Sequence, residues 1–286
     1  MAAVQAMPQR SAGSPLQSGL PRPPGKMPLV RDRRPLKAWT YAGLFSEELM
    51  LCAASVRIGP FPQCFWAVLE RGSGRLSDGT SFNGRPVAFT GSQGGARGLG
   101  ISAGSVDAAL RLEPCGEPVE VLSPHGRSYI WTLKLPVRAE GGVTVEGRHH
   151  RLEARGLMDI SAGYHARSTA WKWSCGVGED REGNEIAWNI VAGMHDDSRG
   201  SERTLWTGER AAELPGALFD QELSEVTFPG DTAALRFSPE AERGRRDDFG
   251  LLMSDYRQPF GSFSGSLPGA ELAWGLGVME RHEARW

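Results

Sequence analysis

The segment GLMDISAGYHARSTAWKWSCGVG, residues 156–178, gathers groups able to move protons: Asp159, Tyr164, His165 and Arg167, then Trp171 and Trp173 two apart. A carboxyl buried among apolar groups loses the hydration of its charged form, so its pKa rises and it can act as an acid near neutrality. Asp159 is the candidate acid. His165 could carry the proton onward, and Arg167 could hold Asp159 ionised or bind an anionic group. With period two, TAWKWSC (169–175) places Thr169, Trp171, Trp173 and Cys175 on one strand face. Two indoles on one face can line an apolar wall, each with one N–H donor. The competing reading makes the tryptophans core filler, Asp159 a turn cap, and His165 and Arg167 solvated loop residues.

A second concentration closes the chain, ELAWGLGVMERHEARW at 271–286. Alternation carries Leu272, Trp274, Leu276, Val278, Glu280 and His282 along one face, so an apolar stripe ends in a carboxylate and an imidazole. Glu280 and His282 could form a hydrogen-bonded acid–base pair, with Arg281 facing out. The final Trp286 suggests a docked end; a frayed terminal strand is the alternative. Trp188 and Asn189 lie between the two segments. The candidate catalytic residues are therefore Asp159, His165, Glu280 and His282. Tyr164, Arg167, Trp171, Trp173, Trp188 and Asn189 are the candidate ligand-binding residues. His195, Asp196 and Asp197 are adjacent and cannot readily converge on one ion without partners such as His149 and His150, so no metal is expected. P-loop, dinucleotide and nucleophile-elbow motifs are missing from the sequence, and no cofactor is expected.

The elements that must position these groups read as strands. VDAALRLE (106–113) alternates cleanly, and YIWTLKL (129–135) sets Tyr129, Trp131, Leu133 and Leu135 inward with Thr132 and Lys134 on the polar face. EIAWNIVAG (185–193) and TAALRFSP (232–239) are further strands. GSG (72–74), SDG (77–79), GG (141–142) and the two PG pairs (229–230 and 268–269) read as turns. The best helical candidate, SEELMLCAASV (46–56), reads equally well as a strand. Around fifteen short strands must hide their edges in barrels or sandwiches. The expected fold is all-β: two antiparallel β-barrel or sandwich lobes with few short helices.

The boundaries expected are a disordered basic leader (1–28), an N-terminal lobe (29–150) and a C-terminal lobe (151–286) carrying the main motifs. Residues 1–38 hold seven Lys/Arg against the single acid Asp32, among many Pro, Gly and Ser. Met27, just before the first patterned stretch, is a candidate start. The remainder is acidic and carries no basic stripe, which argues against nucleic acid as a partner. No apolar run reaches the ~18 residues of a membrane span, and no export signal is visible. Cys52, Cys64, Cys115 and Cys175 show no CxxC spacing, which suits a reduced cytoplasm. The sequence carries no signal for oligomeric state.

PLKAWTYAGLF (35–45), MDISAGYHARSTAWKW (158–173), WNIVAG (188–193), SERTLW (201–206), YRQPFGSFSG (256–265) and GVMERHEARW (277–286) resemble the bacterial family catalogued as domain of unknown function 2804. At 189–190 this chain has Asn-Ile where that family usually has Asn-Leu. The resemblance supplies no mechanism. In architecture the chain is similar to two-lobed lipocalin-like proteins, which include carotenoid hydratases, tocopherol-cyclase-like enzymes and some pericyclic cyclases. That resemblance implies tandem β-barrels around an apolar pocket, where a few acids and tryptophans act on a greasy substrate. Two functions are expected from it and from the residues. One is an enzyme that hydrates, isomerises or cyclises a terpenoid or lipid-like molecule. In it Asp159 protonates, Glu280–His282 accepts a proton or orients water, and the indoles stabilise positive charge. The other is a non-catalytic carrier or sensor of a hydrophobic metabolite.

Overall fold

The computed structural model describes residues 7–92, 95–248, 250 and 253–285, and the final Trp286 lies outside them. Among these residues there is no helix, and SEELMLCAASV resolves into a strand from Leu49. The fold is all-β, lipocalin-like and two-lobed, and each lobe is one antiparallel sheet.

In the first sheet the spatial order is β7 (Arg75–Ser81), β6 (Phe61–Glu70), β5 (Leu49–Ile58), β4 (Lys37–Phe45), β13 (Arg148–Gly163), β12 (Ser128–Val145), β10 (Val106–Pro114), β9 (Arg97–Ala103) and β8 (Val87–Gly91). Beside β12 lies β11 (Val119–His125), which pairs β1 (Gln9–Ala12). The second sheet runs β17 (Arg210–Glu213), β16 (Thr204–Thr207), β15 (Glu185–Ala192), β14 (Ser168–Asp180), β22 (Ala270–Arg285), β21 (Met253–Leu267), β20 (Ala234–Asp248), β19 (Glu225–Thr227) and β18 (Leu218–Phe219). A two-stranded ribbon joins β2 (Val30–Arg31) to β3 (Arg34–Pro35).

Three layers of apolar side chains follow from the two-residue period. On β4, Ala42 and Leu44 enter the interior of the first lobe, while Tyr41 and Phe45 point at the second lobe. On β15, Ile186, Trp188 and Ile190 fill the interior of the second lobe, while Ala187 and Val191 point back at the first. The central strands are therefore buried on both faces. Lys134 illustrates it: the face read as polar on YIWTLKL is covered by the other lobe, and Lys134 is only 2% exposed. VDAALRLE lies away from that contact and keeps its alternation of buried and exposed residues.

Several local expectations change. SDG (77–79) lies within β7 and GG (141–142) within β12, rather than in turns. A Cβ at Gly79 would sit 2.3 Å from the Trp66 ring, so close packing explains that glycine. A bulge opposite Glu179/Asp180 breaks the β22 stripe: Leu272 packs in the second lobe, Leu276 between the lobes, and Trp274 is exposed. The sheets change over at 164–167, since β13 belongs wholly to the first; composition had suggested 150. β1 pairs β11, and Leu16 and Leu20 are buried against Leu122, Tyr129 and Tyr164. No helix of the described residues is long and apolar enough to cross a membrane.

Candidate functional site

A cavity of about 270 Å³, mostly apolar, opens between the two sheets, with one wall from each lobe. The first lobe supplies Trp39 and Tyr41 from β4, Thr132 and Lys134 from β12 and Asp159 from β13. The second supplies Trp171 and Trp173 from β14, Tyr256 from β21, and Glu280 and His282 from β22. Sheet register brings them together. Lys134 sits directly across the ladder from Asp159, Trp173 from Glu280, and Trp171 from His282.

Asp159 is bound into an ionic cluster. Lys134 Nζ lies 2.8 Å from its Oδ1 and 3.1 Å from Glu202 Oε1, and Trp39 Nε1 donates to Asp159 Oδ2 at 3.1 Å. Burial alone would depress the Lys134 ammonium, but the two carboxylates outweigh it and hold it above its ordinary value. The cation beside Asp159 is thus Lys134. Arg167 is exposed on the outside.

Glu280, 7% exposed, has only neutral partners: Trp171 Nε1 donates to Oε1 at 2.8 Å and Gln258 Nε2 to Oε2 at 3.0 Å. Tyr256 faces the same carboxyl, its hydroxyl outside good hydrogen-bond geometry. Burial pushes the Glu280 carboxyl up to about 7, with the Trp171 N–H, the nearby Tyr256 hydroxyl and the Arg243 guanidinium pulling the other way. Gln258 is itself held by Cys52 Sγ, which donates to Oε1 at 3.3 Å, and the Tyr41 hydroxyl accepts from its Nε2 at 3.4 Å.

His282 does not pair with Glu280. Trp171 stands against it edge-on at 4.4 Å between ring centroids, and its Nε2 lies 2.9 Å from Ser254 Oγ. Burial lowers its pKa to about 3, so the imidazole is neutral at physiological pH. His165 lines the cavity 5.4 Å from the Trp39 ring, and burial likewise takes it well below its ordinary value.

The remaining candidates sit elsewhere. Tyr164 turns from the cavity to Tyr129, and its hydroxyl donates to Pro28 O at 2.7 Å. Trp188 fills the interior of the second lobe, donating to Ser174 Oγ at 3.2 Å. Asn189 stands behind the wall: its Oδ1 accepts from Trp173 Nε1 at 2.7 Å and its Nδ2 donates to Glu202 O at 2.8 Å. It positions one tryptophan and the loop bearing Glu202.

Sequence reasoning missed Lys134, Glu202, Gln258, Tyr41 and Arg243 as site residues, and left His195 in a polar loop. Arg243 lies 4.2 Å from the Phe65 ring centroid and 4.9 Å from that of Tyr256, and donates to Thr80 Oγ1 at 2.8 Å. A signal for Lys134 existed: a single cation among apolar residues on both faces of a strand points to double burial. No group of three His, Cys, Asp or Glu among the described residues is arranged to hold a metal ion.

The fold has known counterparts. A protein assigned to AttH from Nitrosomonas europaea superposes with a TM-score of 0.55 at 14% identity, covering 91% of this chain and 98% of that one. Kievitone hydratase from Nectria haematococca superposes with a TM-score of 0.52 at 11% identity, covering 87% and 88%. At such identities the likeness establishes the fold alone. No curated protein matches in sequence. The family model for domain of unknown function 2804 matches residues 86–286, and the chain belongs to that family.

Proposed function

We propose that the protein carries out acid–base chemistry on a hydrophobic small molecule, with Glu280 as the general acid. The observation that carries this reading is a buried carboxyl with its pKa near 7, facing an apolar cavity. Protonated Glu280 gives its proton to a double bond of the bound molecule. The indole faces of Trp171 and Trp173 stabilise the positive charge that develops. Water then adds and releases a proton to Asp159, which gives hydration; or a neighbouring C–H gives its proton to Asp159, directly for isomerisation or after a C=C has attacked the cation for cyclisation. The sequence suggested Asp159 as donor; its ion pair with Lys134 suits it better to accept. Kievitone hydratase shares the fold and is named for a hydration, which lends analogy only. Cys52, Cys64 and Cys175 are free and buried, which fits a reducing cytoplasm.

The second reading is a carrier. In its favour, His165 and His282 are neutral in their buried settings, so neither offers an imidazolium to relay protons. Gentle purification, solvent extraction and mass spectrometry separate the two. An enzyme converts an extracted ligand to a new product and loses this ability in Glu280→Gln; a carrier returns the ligand unchanged from both proteins. Infrared difference spectra offer an independent check. A protonated-carboxyl band lost near pH 7, and missing in Glu280→Gln, supports the acid; titration complete below pH 5 removes it.

A further inference from the structure

Among the residues that line the Asp159 end of the cavity, several fully buried polar atoms have no protein partner. They are both ring nitrogens of His195, Nε2 of His165, Oγ1 of Thr132 and Oε2 of Glu202. These residues are 7%, 4%, 1% and 3% exposed. Buried polar groups are normally satisfied, so four such residues in the lining of one chamber mark a place where something polar is received. His195 is also held with φ of 55°, in the left-handed region that non-glycine residues adopt at a cost, and neighbouring Gly193 has φ of 94°. The loop is pinned around it. Glu202 N donates to His195 O at 3.2 Å, Gly193 N to Asp196 Oδ2 at 2.7 Å, and Arg203 Nη2 to Asp197 O at 2.7 Å.

We propose that His195, His165 and Thr132 form a binding subsite for an uncharged hydroxyl or phenol oxygen at one end of an amphipathic ligand. This rests on the cavity reading above and specifies the ligand class. The chemistry selects a neutral group. Each neutral imidazole offers one N–H donor and one acceptor nitrogen, matching a hydroxyl that both accepts and donates. The Lys134 cluster sets two carboxylates against one ammonium, and burial draws the Lys37 amine near His165 down to about 7, so a carboxylate or phosphate head would add negative charge that these groups only partly balance in a poorly hydrated chamber. A pure hydrocarbon would leave all of these atoms unpaired. The rest of the ligand lies along Trp171 and Trp173 towards Glu280, so the subsite also fixes which end of the molecule meets the acid.

Equilibrium dialysis of the full chain with 2-naphthol and its near-isostere 2-methylnaphthalene tests this. Wild type should prefer the naphthol about tenfold, the usual scale for one or two net hydrogen bonds. The preference should fall to about twofold or less in His195→Leu, with a similar loss in His165→Leu, while both variants bind 2-methylnaphthalene at least as tightly as wild type. That retained binding doubles as the check that the variants fold. Equal binding of both probes by wild type overturns the subsite but leaves the apolar cavity standing. A preference that survives His195→Leu, His165→Leu and Thr132→Val together also overturns it. Failure of wild type to bind either probe overturns the subsite and counts against the cavity reading as well.

Discussion

The two carboxylates that face the cavity come from different lobes and stand in opposite electrostatic settings. Asp159 shares an ammonium with Glu202 and forms part of a charged cluster. Glu280 takes its hydrogen bonds from indole and carboxamide groups beside a phenol, and the nearby Arg243 guanidinium lowers its pKa by less than burial raises it. The two acids are equally buried, so burial does not divide them; the presence of Lys134 does. A buried carboxyl with a cation stays charged as part of a pair, while one with neutral donors relieves its desolvation by taking up a proton.

Removing the cation should break this contrast most severely. Lys134→Met leaves Asp159 and Glu202 buried without a counter-charge, at a cost of about 3–5 kcal/mol in denaturant unfolding. Adding Asp159→Asn and Glu202→Gln should recover much of that loss. Glu280→Gln should act in the opposite sense. The folded-state pKa of about 7 lies above the 4.5 of the free group. The protonated form therefore favours folding at low pH, and that contribution is lost as pH rises from about 4.5 through 7. Glu280→Gln should then be close to neutral at pH 4 and more stable than wild type at pH 8, by on the order of 3 kcal/mol. Thermal unfolding at the two pH values reads this out.

The sequence foretold the strands and the indole face, because a period of two is local information. Trp171, Trp173, Glu280 and His282 follow from it directly, and Asp159 and His165 share the cavity with them. Lys134 did not follow, since its burial arises when one lobe docks on the other and its partner is set by β12–β13 register. Glu202 and His195 come from an irregular loop with no periodicity to read. Tyr164 misled because it adjoins His165 in sequence while strand geometry sends it towards Tyr129. Arg167 misled because the charge near Asp159 was sought close in sequence, and the cation that pairs with it lies on another strand.

Smaller changes sharpen the comparison further. His165, His195 and His282 have pKa values depressed by burial, the latter two to about 3. Their contribution to stability is complete above about 6.5 and is lost as pH falls from there through their folded-state values. They oppose Glu280, and three groups outnumber one, so the melting temperature should fall on acidification below about pH 6. His282→Asn should flatten that slope. Asn189→Ala removes the acceptor of Trp173 and a donor to Glu202, and should cost about 1–3 kcal/mol with a shift in tryptophan emission. Arg10→Ala should have the mildest effect. Its guanidinium donates to Ser201 O and Thr204 Oγ1, both at 3.0 Å, so the leader steadies the loop that carries Glu202. A loss of about 1 kcal/mol is expected, read as faster proteolysis between 193 and 203.

Every strand ladder among the described residues lies within a single sheet, and the gap between lobes is crossed by side chains and by the backbone bond from Glu117 N to Glu209 O at 2.8 Å. A tilt of one half against the other about the short link at 164–167 would strain these cross-gap contacts while leaving each ladder whole. The width between the halves would change with no strand pair broken. The thickness of molecule the gap can take is then set by how these cross-gap contacts hold it, Lys134–Glu202 and Cys52–Gln258 among them.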